Sequence, residues 1–202
     1  MFIILQLIAF TTFSEEGFQM NFNELKRFWF SDLFRYEESQ SVNIKKLIFR
    51  QYISPGFRYT FWMRLCRYLK HKNKLMLPFY VLAMANLQRY KYKFGIEISP
   101  KTEIDTGFYI GHFGGIVINS GAKIGKNCNI SQGVTIGMAN RGKRRGVATI
   151  GDNVYIGPGA KIVGAVKIGN NAAIGANCVV TNDVPDNGVV VGIPGKVISM
   201  NG

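Results

Sequence analysis

An aliphatic residue, isoleucine or valine, returns at every sixth position through most of the second half of this 202-residue chain. Helices repeat about every 3.6 residues and strands about every two, so neither explains a period of six. That period is the signature of a β-helix, in which each hexapeptide forms one flat side of a triangular coil and stacked coils share a core. We therefore predict a mainly β fold built on a left-handed parallel β-helix. The anchors are Ile98, Ile104, Ile110, Ile118, Ile124, Ile130, Ile136, Ile150, Ile156, Ile162, Ile168, Ile174 and Val180.

Small residues follow these anchors at a fixed spacing. The fourth residue after an anchor must also fit inside the coil, and here it is usually small: Thr102, Ala122, Cys128, Val134, Ala160, Ala172 and Cys178. Glycine often follows the anchor directly, and asparagine comes soon after. Both residues tolerate the positive φ angles that sharp corners need. The repeat therefore accounts for the corners of a triangular coil as well as its core.

The first half of the chain has apolar residues at helical spacing instead. Asn21-Phe-Asn-Glu24 is typical of a helix start, Ser54-Pro55 provides a cap followed by proline, and Pro78 opens a further helix. We expect the N-terminal extension to be non-native or disordered, with Met20 as the natural start, because its apolar stretch lacks a signal peptide's basic start and cleavage site and is too short to span a bilayer. The predicted divisions are an extension, residues 1–19; an α-helical domain, 20–96; the β-helix, 97–191; and a C-terminal tail, 192–202.

The charge of the chain is concentrated in the helical part. The formal net charge is +13, and residues 41–96 contain twelve Lys or Arg but no Asp or Glu. Charge alone permits nucleic-acid binding, but no recognised nucleic-acid motif is present, so we expect no such partner. Three cysteines, two of them at inward small positions, do not form a disulfide framework and indicate a reducing cytoplasm.

The six-residue register is first interrupted between Ile110 and Ile118, a step of eight residues. His112 lies inside this interruption. The chain has one other histidine, His71, in a lysine-rich break between predicted helices, where we expect a solvated side chain without a role. His112 is therefore the histidine to consider for chemistry.

A second interruption separates Ile136 from Ile150, a step of fourteen residues. Insertions into solenoids commonly lie on the functional face. We expect the inserted arm, residues 137–149, to project from a corner. Its basic residues are Arg141, Lys143, Arg144 and Arg145.

Five blocks follow one another in residues 97–198: Glu97-Ile-Ser-Pro100, Gly111-His112-Phe-Gly-Gly-Ile-Val117, Ser131-Gln-Gly-Val-Thr-Ile-Gly137, Gly157-Pro-Gly-Ala-Lys-Ile162 and Gly192-Ile-Pro-Gly-Lys196. In order and spacing they resemble the serine acetyltransferase branch of the hexapeptide acyltransferases. The resemblance implies acetyl transfer from acetyl-CoA, with His112 as the base that takes a proton from the acceptor hydroxyl. A carboxylate fifteen residues earlier, here Glu97, would orient the imidazole. Imidazole suits this task because it titrates near neutrality.

The same resemblance implies where the acetyl donor binds. Acetyl-CoA is expected along the groove between two solenoids of a homotrimer or of a dimer of trimers, and no metal is implied. Small residues would let the pantetheine approach the backbone, and basic residues would pair with the phosphates. The residues expected to contact CoA are Ala160, Gly175, Ala176, Lys196, Arg144 and Arg145. The amides of Gly114 and Gly115 are expected to stabilise the oxyanion.

The acceptor is inferred from departures from the family pattern. Gly111 stands where the serine enzymes have Asp, and Gly146 and Val147 stand where they have Arg and His. A site without its charged partners should hold a small zwitterion poorly. The helical half, with Pro55-Gly-Phe-Arg-Tyr59, resembles related proteins of capsule and exopolysaccharide biosynthesis. We therefore expect O-acetylation of a sugar hydroxyl in polysaccharide biosynthesis, with serine O-acetylation in cysteine biosynthesis as the alternative.

Two further classes were weighed. A zinc enzyme of the γ-carbonic anhydrase kind needs several converging histidines, and the solenoid has one. A non-catalytic scaffold at the membrane surface remains open, because residues 41–96 interleave Lys and Arg with Tyr, Phe and Trp, as interfacial helices do. Peripheral contact of a cytoplasmic enzyme with an anionic membrane is compatible with either function.

Overall fold

The computed structural model describes residues 20–37 and 41–202, so the predicted extension 1–19 lies outside the described residues. Asn21 and Glu24 form the predicted helix start as a capping box, in which each side chain accepts a hydrogen bond from the other residue's amide. Gly95, at φ 59°, ends the last helix, and the first strand begins one residue later. The helices are α1 (Phe22–Phe34), α2 (Ile44–Ile53), α3 (Pro55–Leu69) and α4 (Leu77–Phe94), with a 3₁₀ turn (Lys74–Met76) before α4.

The rest of the described chain forms short strands that stack in three parallel sheets. Sheet A contains β1, β4, β7, β10 and β13; sheet B contains β2, β5, β8 and β11; sheet C contains β3, β6, β9, β12, β14 and β15. The strands are β1 (Ile96–Ile98), β2 (Glu103–Ile104), β3 (Tyr109–Ile110), β4 (Ile116–Ile118), β5 (Lys123–Ile124), β6 (Asn129–Ile130), β7 (Thr135–Gly137), β8 (Thr149–Ile150), β9 (Tyr155–Ile156), β10 (Lys161–Val163), β11 (Lys167–Ile168), β12 (Ala173–Ile174), β13 (Val179–Val180), β14 (Val189–Val191) and β15 (Lys196–Ser199).

The predicted β-helix is confirmed. Every hexapeptide anchor is buried, each is stacked on its counterpart in the next coil, and the predicted small positions are buried beside them. The coil also continues past Val180, where the sequence repeat ends. Val184 and Val190 are buried and extend sheets B and C, and β15 then pairs antiparallel with β14. The C-terminal tail therefore forms a strand that the sequence did not indicate.

Three edges join the sheets, and each has its own chemistry. The edge between sheets B and C, the asparagine edge, carries a ladder of left-handed asparagines whose side-chain amides hydrogen bond in series: Asn127, Asn153, Asn171 and Asn187. The edge between C and A, the glycine edge, stacks Gly115, Gly133 and Gly159 at positive φ above Asn177. The edge between A and B, the arm edge, carries the inserted arm.

The asparagine ladder gives a stability prediction. Asn153→Ala removes hydrogen bonds of 3.2 and 3.0 Å to its ladder neighbours and places a Cβ at φ 58°, for an expected loss of about 2 kcal/mol. Asn153→Gly removes the same bonds without the strain and should cost about half as much. Urea unfolding of the two variants measures the difference. Equal losses would mean that the left-handed backbone does not matter at this corner.

The helices close the end of the β-helix whose strands would otherwise have unpaired edges. The Tyr59 hydroxyl accepts from the Ile98 amide and donates to its carbonyl, and Tyr36 does the same at Ile110. Burial raises the pKa of both phenols, so both stay protonated. Arg64 donates to the Ile104 carbonyl at 2.5 Å. One side chain of the helical domain thus caps each of the three strands in the first coil.

Candidate active site

His112 lies on the glycine edge, in the loop that produces the first interruption of the register. The loop runs from the buried Ile110 to the buried Ile116, and both His112 and Phe113 are exposed. The Phe113 ring lies 5.6 Å from the ring of Phe94, which ties the loop to the end of α4. The two extra residues therefore form a bulge that presents an imidazole to solvent beside the helical domain.

Glycine is required where this bulge meets the helices. A Cβ at Gly95 would lie 3.2 Å from the amide nitrogen of Gly115, and both residues have positive φ. The Gly114 carbonyl accepts from the Gly133 amide at 2.7 Å. Within residues 20–37 and 41–202, the amides of Gly114 and Gly115 donate to no other group. These two N–H groups are therefore available to another acceptor, and their role as oxyanion donors stays a prediction.

Glu97, the predicted orienting carboxylate, lies on β1 opposite Val117 of β4. Its carboxylate forms an exposed ion pair of 2.6 Å with Lys91, from the last turn of α4. Among the described residues no hydrogen bond joins Glu97 to His112. Sequence reasoning missed Lys91, although its place six residues before Glu97, at the basic end of a predicted helix, was a usable signal.

The residues expected to contact CoA divide into two groups. Ala176 is exposed on the glycine edge beside Gly175, three coils from His112, or about 14 Å along the β-helix axis. Lys196 is exposed on β15, which pairs with β14 next to β12. Ala160, in contrast, is fully buried in an inward position, so its predicted contact with CoA stays a prediction that only its backbone can satisfy.

The sequence predicts that the arm projects from a corner. In the structure the arm is closed on itself and tied to the next coil. Ala139 and Gly146 form an antiparallel bridge across it, and the Arg144 carbonyl accepts from the Ala165 amide of the next coil at 2.9 Å. The Arg144 guanidinium pairs with Asp183 at 2.7 Å. The amide of Lys167, and then Arg144, lower the pKa of the Asp183 carboxyl. Arg144 is thus held to its own solenoid.

The arm also lies on a different edge from His112. The chain leaves sheet A at β7 and re-enters sheet B at β8, whereas His112 joins sheet C to sheet A. Arg144 and Arg145 therefore do not share a site with His112 in a single chain. Topology decides this separation, and no spacing in the sequence reveals which edge an insertion occupies.

The cysteine thiols of the described residues are buried, and these residues form no metal site. Burial raises the pKa of the Cys66 thiol to about 12 and that of Cys128 to about 11, so both stay protonated. Residues 20–37 and 41–202 contain no group of three or more His, Cys, Asp or Glu placed to hold a metal ion. No helix within these ranges is long and apolar enough to cross a membrane.

A β-helix with a histidine on one exposed edge is compatible with the hexapeptide-repeat acyltransferases, and residues 148–182 match the family model for bacterial transferase hexapeptide repeats. The chain is 38% identical over 157 residues to a serine acetyltransferase of Bacillus pumilus, covering 76% of this chain and 70% of that protein. It is 39% identical over 144 residues to the serine acetyltransferase of Bacillus subtilis, covering 71% and 64%. The structure of the soybean serine acetyltransferase apoenzyme superposes with a TM-score of 0.71 at 30% identity, over 96% of this chain and 74% of that one.

The chain therefore belongs to the serine acetyltransferase family. It is an acyltransferase whose acyl donor is acetyl-CoA, as the sequence predicted. The expectation of a sugar acceptor in polysaccharide biosynthesis is wrong, because the relatives and solved structures that match are serine acetyltransferases. The argument against serine rests on uncharged residues at Gly111, Gly146 and Val147, and the capsule branch rests on the resemblance of the helical half. Charged residues from elsewhere in the chain, or from a neighbouring subunit, can still lie at the site when these positions are uncharged.

Proposed function

We propose that this protein transfers the acetyl group of acetyl-CoA to the hydroxyl of L-serine, with His112 as general base. The supporting observation is the match to serine acetyltransferases across three quarters of the chain, combined with the exposed imidazole on the glycine edge. Of the two histidines in the chain, His71 lines a groove beside sheet B, so His112 is the imidazole available at this edge.

The chemistry follows from the groups around the loop. His112 removes the hydroxyl proton as the serine oxygen attacks the thioester carbonyl carbon. The amides of Gly114 and Gly115 stabilise the oxyanion that forms. Collapse of the tetrahedral intermediate breaks the carbon–sulfur bond, and the imidazolium returns its proton to the departing CoA sulfur. A carboxylate on the other ring nitrogen steadies the imidazolium, and Glu97 is the residue proposed for that task.

The ion pair of Glu97 with Lys91 suggests how the acceptor completes the site. A serine carboxylate that pairs with Lys91 would release Glu97 to accept a hydrogen bond from His112. Lys91 would then supply the positive charge that Gly146 does not provide. This exchange needs no change in the fold, because the Glu97 side chain is exposed and that of Lys91 is only half-buried.

We further propose that the enzyme is a cyclic trimer with sheet A toward the threefold axis. Sheet A is flanked by the glycine edge and the arm edge. A threefold arrangement through this sheet places the arm edge of one subunit against the glycine edge of its neighbour. Arg145 of one protomer would then reach the CoA bound beside His112 of the next, which a single chain cannot achieve.

The test is acetyl-CoA-dependent thiol release with L-serine as acceptor, together with mass-spectrometric detection of O-acetylserine. We expect turnover that requires L-serine. We expect Lys91→Met to raise the KM for serine about tenfold or more, with an unchanged KM for acetyl-CoA, because the lost interaction is a charge-assisted hydrogen bond.

Lys93→Met is the matched control, since Lys93 is an exposed lysine on the same helix turn without the Glu97 contact. It should leave both KM values unchanged. Thiol release that does not depend on L-serine, or a Lys91 variant with a normal serine KM, would contradict the corresponding part of the proposal.

A further inference from the structure

A broad groove on the opposite side from His112 has a basic lining. It lies between the helices and sheet B and has a volume of about 840 Å³. Two acidic residues, Glu103 and Asp105, also line it, and Glu103 pairs with Lys123 at 3.3 Å. The basic side chains in the lining are Arg27, Arg67, Lys70, His71, Lys101 and Lys123. Cations therefore exceed carboxylates in the groove.

The electrostatics of two lining residues show this excess directly. Burial, and then Lys70 and Arg67, lower the pKa of His71. Burial, and then Arg64, lower the pKa of Arg67, which also donates to the Thr102 carbonyl at 3.2 Å. Lys70 and Arg67 thus repel a positive charge on His71, whereas Arg67 is itself repelled by Arg64 and attracted by Glu103. An anion in the groove would relieve that repulsion.

An exposed apolar segment follows the groove immediately in the chain. His71 lines the groove, and the 3₁₀ turn begins at Lys74. We call residues 74–82 the apolar tip. Leu75 is 77% exposed, and Phe79 and Leu82 are each 60% exposed, whereas the first buried residue of α4 is Ala83. Tyr80 packs against the core, whereas Leu75, Phe79 and Leu82 present large apolar side chains to the surface.

Charge distinguishes this tip from the other exposed apolar surface of the helical domain. Helix α2 also exposes Ile48 and Phe49, but Glu37 pairs with its Arg50 at 2.7 Å and with Lys46 at 3.5 Å. No acidic residue occurs between positions 41 and 96, and Lys72 and Lys74 flank the tip. The Lys72 ammonium contacts the Tyr68 ring and the Met20 carbonyl, neither of which neutralises it.

We propose that the basic groove and the apolar tip together dock the protein on an anionic phospholipid bilayer. Lipid phosphates enter the groove, and Leu75, Phe79 and Leu82 enter the boundary between headgroups and acyl chains. Basic residues beside exposed large apolar side chains are the combination that binds this interface. Sheet B faces away from the threefold axis proposed above, so docking leaves the glycine edge clear of the membrane.

The experiment is vesicle flotation with the full chain. Vesicles of phosphatidylcholine alone are compared with vesicles that also contain phosphatidylglycerol, at low and high salt. We expect binding to the anionic vesicles only, weakened by salt because exposed charges are screened. Leu75→Ser/Phe79→Ser should lower the partition coefficient about tenfold or more, and Arg27→Gln/Lys74→Gln should remove most of the preference for phosphatidylglycerol.

Ile48→Ser/Phe49→Ser is the matched control, because it removes two apolar side chains of α2 that are more than half exposed. It should bind vesicles like the wild type. All variants should retain acetyl transfer, which shows that they are folded. Equal binding by the tip variant and the wild type would overturn the proposal. A tip variant whose oligomer has a different mass from the wild type in the absence of vesicles would also overturn it. The tip would then be an interface between copies of the chain.

Discussion

Replacing His112 with asparagine is expected to lower kcat/KM for acetyl transfer by about 10²–10⁴-fold, the range that a positioned general base contributes. Asparagine retains a polar side chain but cannot accept the hydroxyl proton at neutral pH. Because the loop backbone and the amides of Gly114 and Gly115 are unchanged, the loss should fall on kcat, with the KM for acetyl-CoA near its wild-type value. Steady-state thiol release over a range of both substrates separates the two parameters.

His71→Asn is the matched control, because it changes the chain's other histidine, which lies in the groove beside sheet B. It should leave kcat/KM unchanged. Glu97→Gln should reduce kcat less than His112→Asn does, since Glu97 acts through the imidazole. A His112 variant with near-wild-type turnover would show that the base is another group, and would remove the glycine edge as the site of proton transfer.

The second large effect concerns stability. Asp32→Ala is expected to lower the free energy of unfolding by about 3–5 kcal/mol, because it leaves the buried Arg64 guanidinium without its counter-charge. Asp32 accepts from Arg64 Nε at 3.2 Å and from the Phe108 amide at 2.9 Å. Burial raises the pKa of its carboxyl, and Arg64 opposes that rise. Thermal melting should report a Tm lower by roughly 6–20 °C.

Two comparisons make this prediction specific to the buried pair. Asp32→Leu/Arg64→Met replaces both charges with apolar side chains and should recover most of the loss, although the cap on the Ile104 carbonyl is missing. Glu103→Ala breaks the exposed pair with Lys123 and should change stability by less than about 1 kcal/mol. If Asp32→Ala lowers the free energy of unfolding no more than Glu103→Ala does, the packing of the helical domain on the β-helix does not depend on this pair.

The same contacts connect the helical domain to the loop that carries His112. Asp32 and Arg64 hold the chain at Ile104 and Phe108, and Tyr36 holds Ile110, the residue that leads into the His112 loop. The other end of the loop abuts Gly95, where α4 stops. The position of His112 is therefore set by the helical domain as much as by the β-helix. This explains why a two-residue excess in the repeat can form an ordered bulge.

The substrate inference shows where reasoning from sequence failed. The argument against serine rests on the missing charges at Gly111, Gly146 and Val147, and it assumes that a site uses only the family's positions. Lys91 carries a charge beside Glu97 that no family position marked. The comparisons with serine acetyltransferases then overturned the sugar acceptor, and serine is the acceptor proposed in its place.

The sequence by itself determined the β-helix, because a period of six allows one way to bury an aliphatic residue on every side of a coil. It also placed His112 inside a break of the repeat, whereas the role of His112 as base is implied by the family resemblance and stays a prediction. Only the tertiary structure showed that Val184 and Val190 extend the coil and that the arm and His112 occupy different edges. Periodicity specifies which residues face the core, whereas the neighbours of an exposed side chain depend on contacts between segments far apart in the chain.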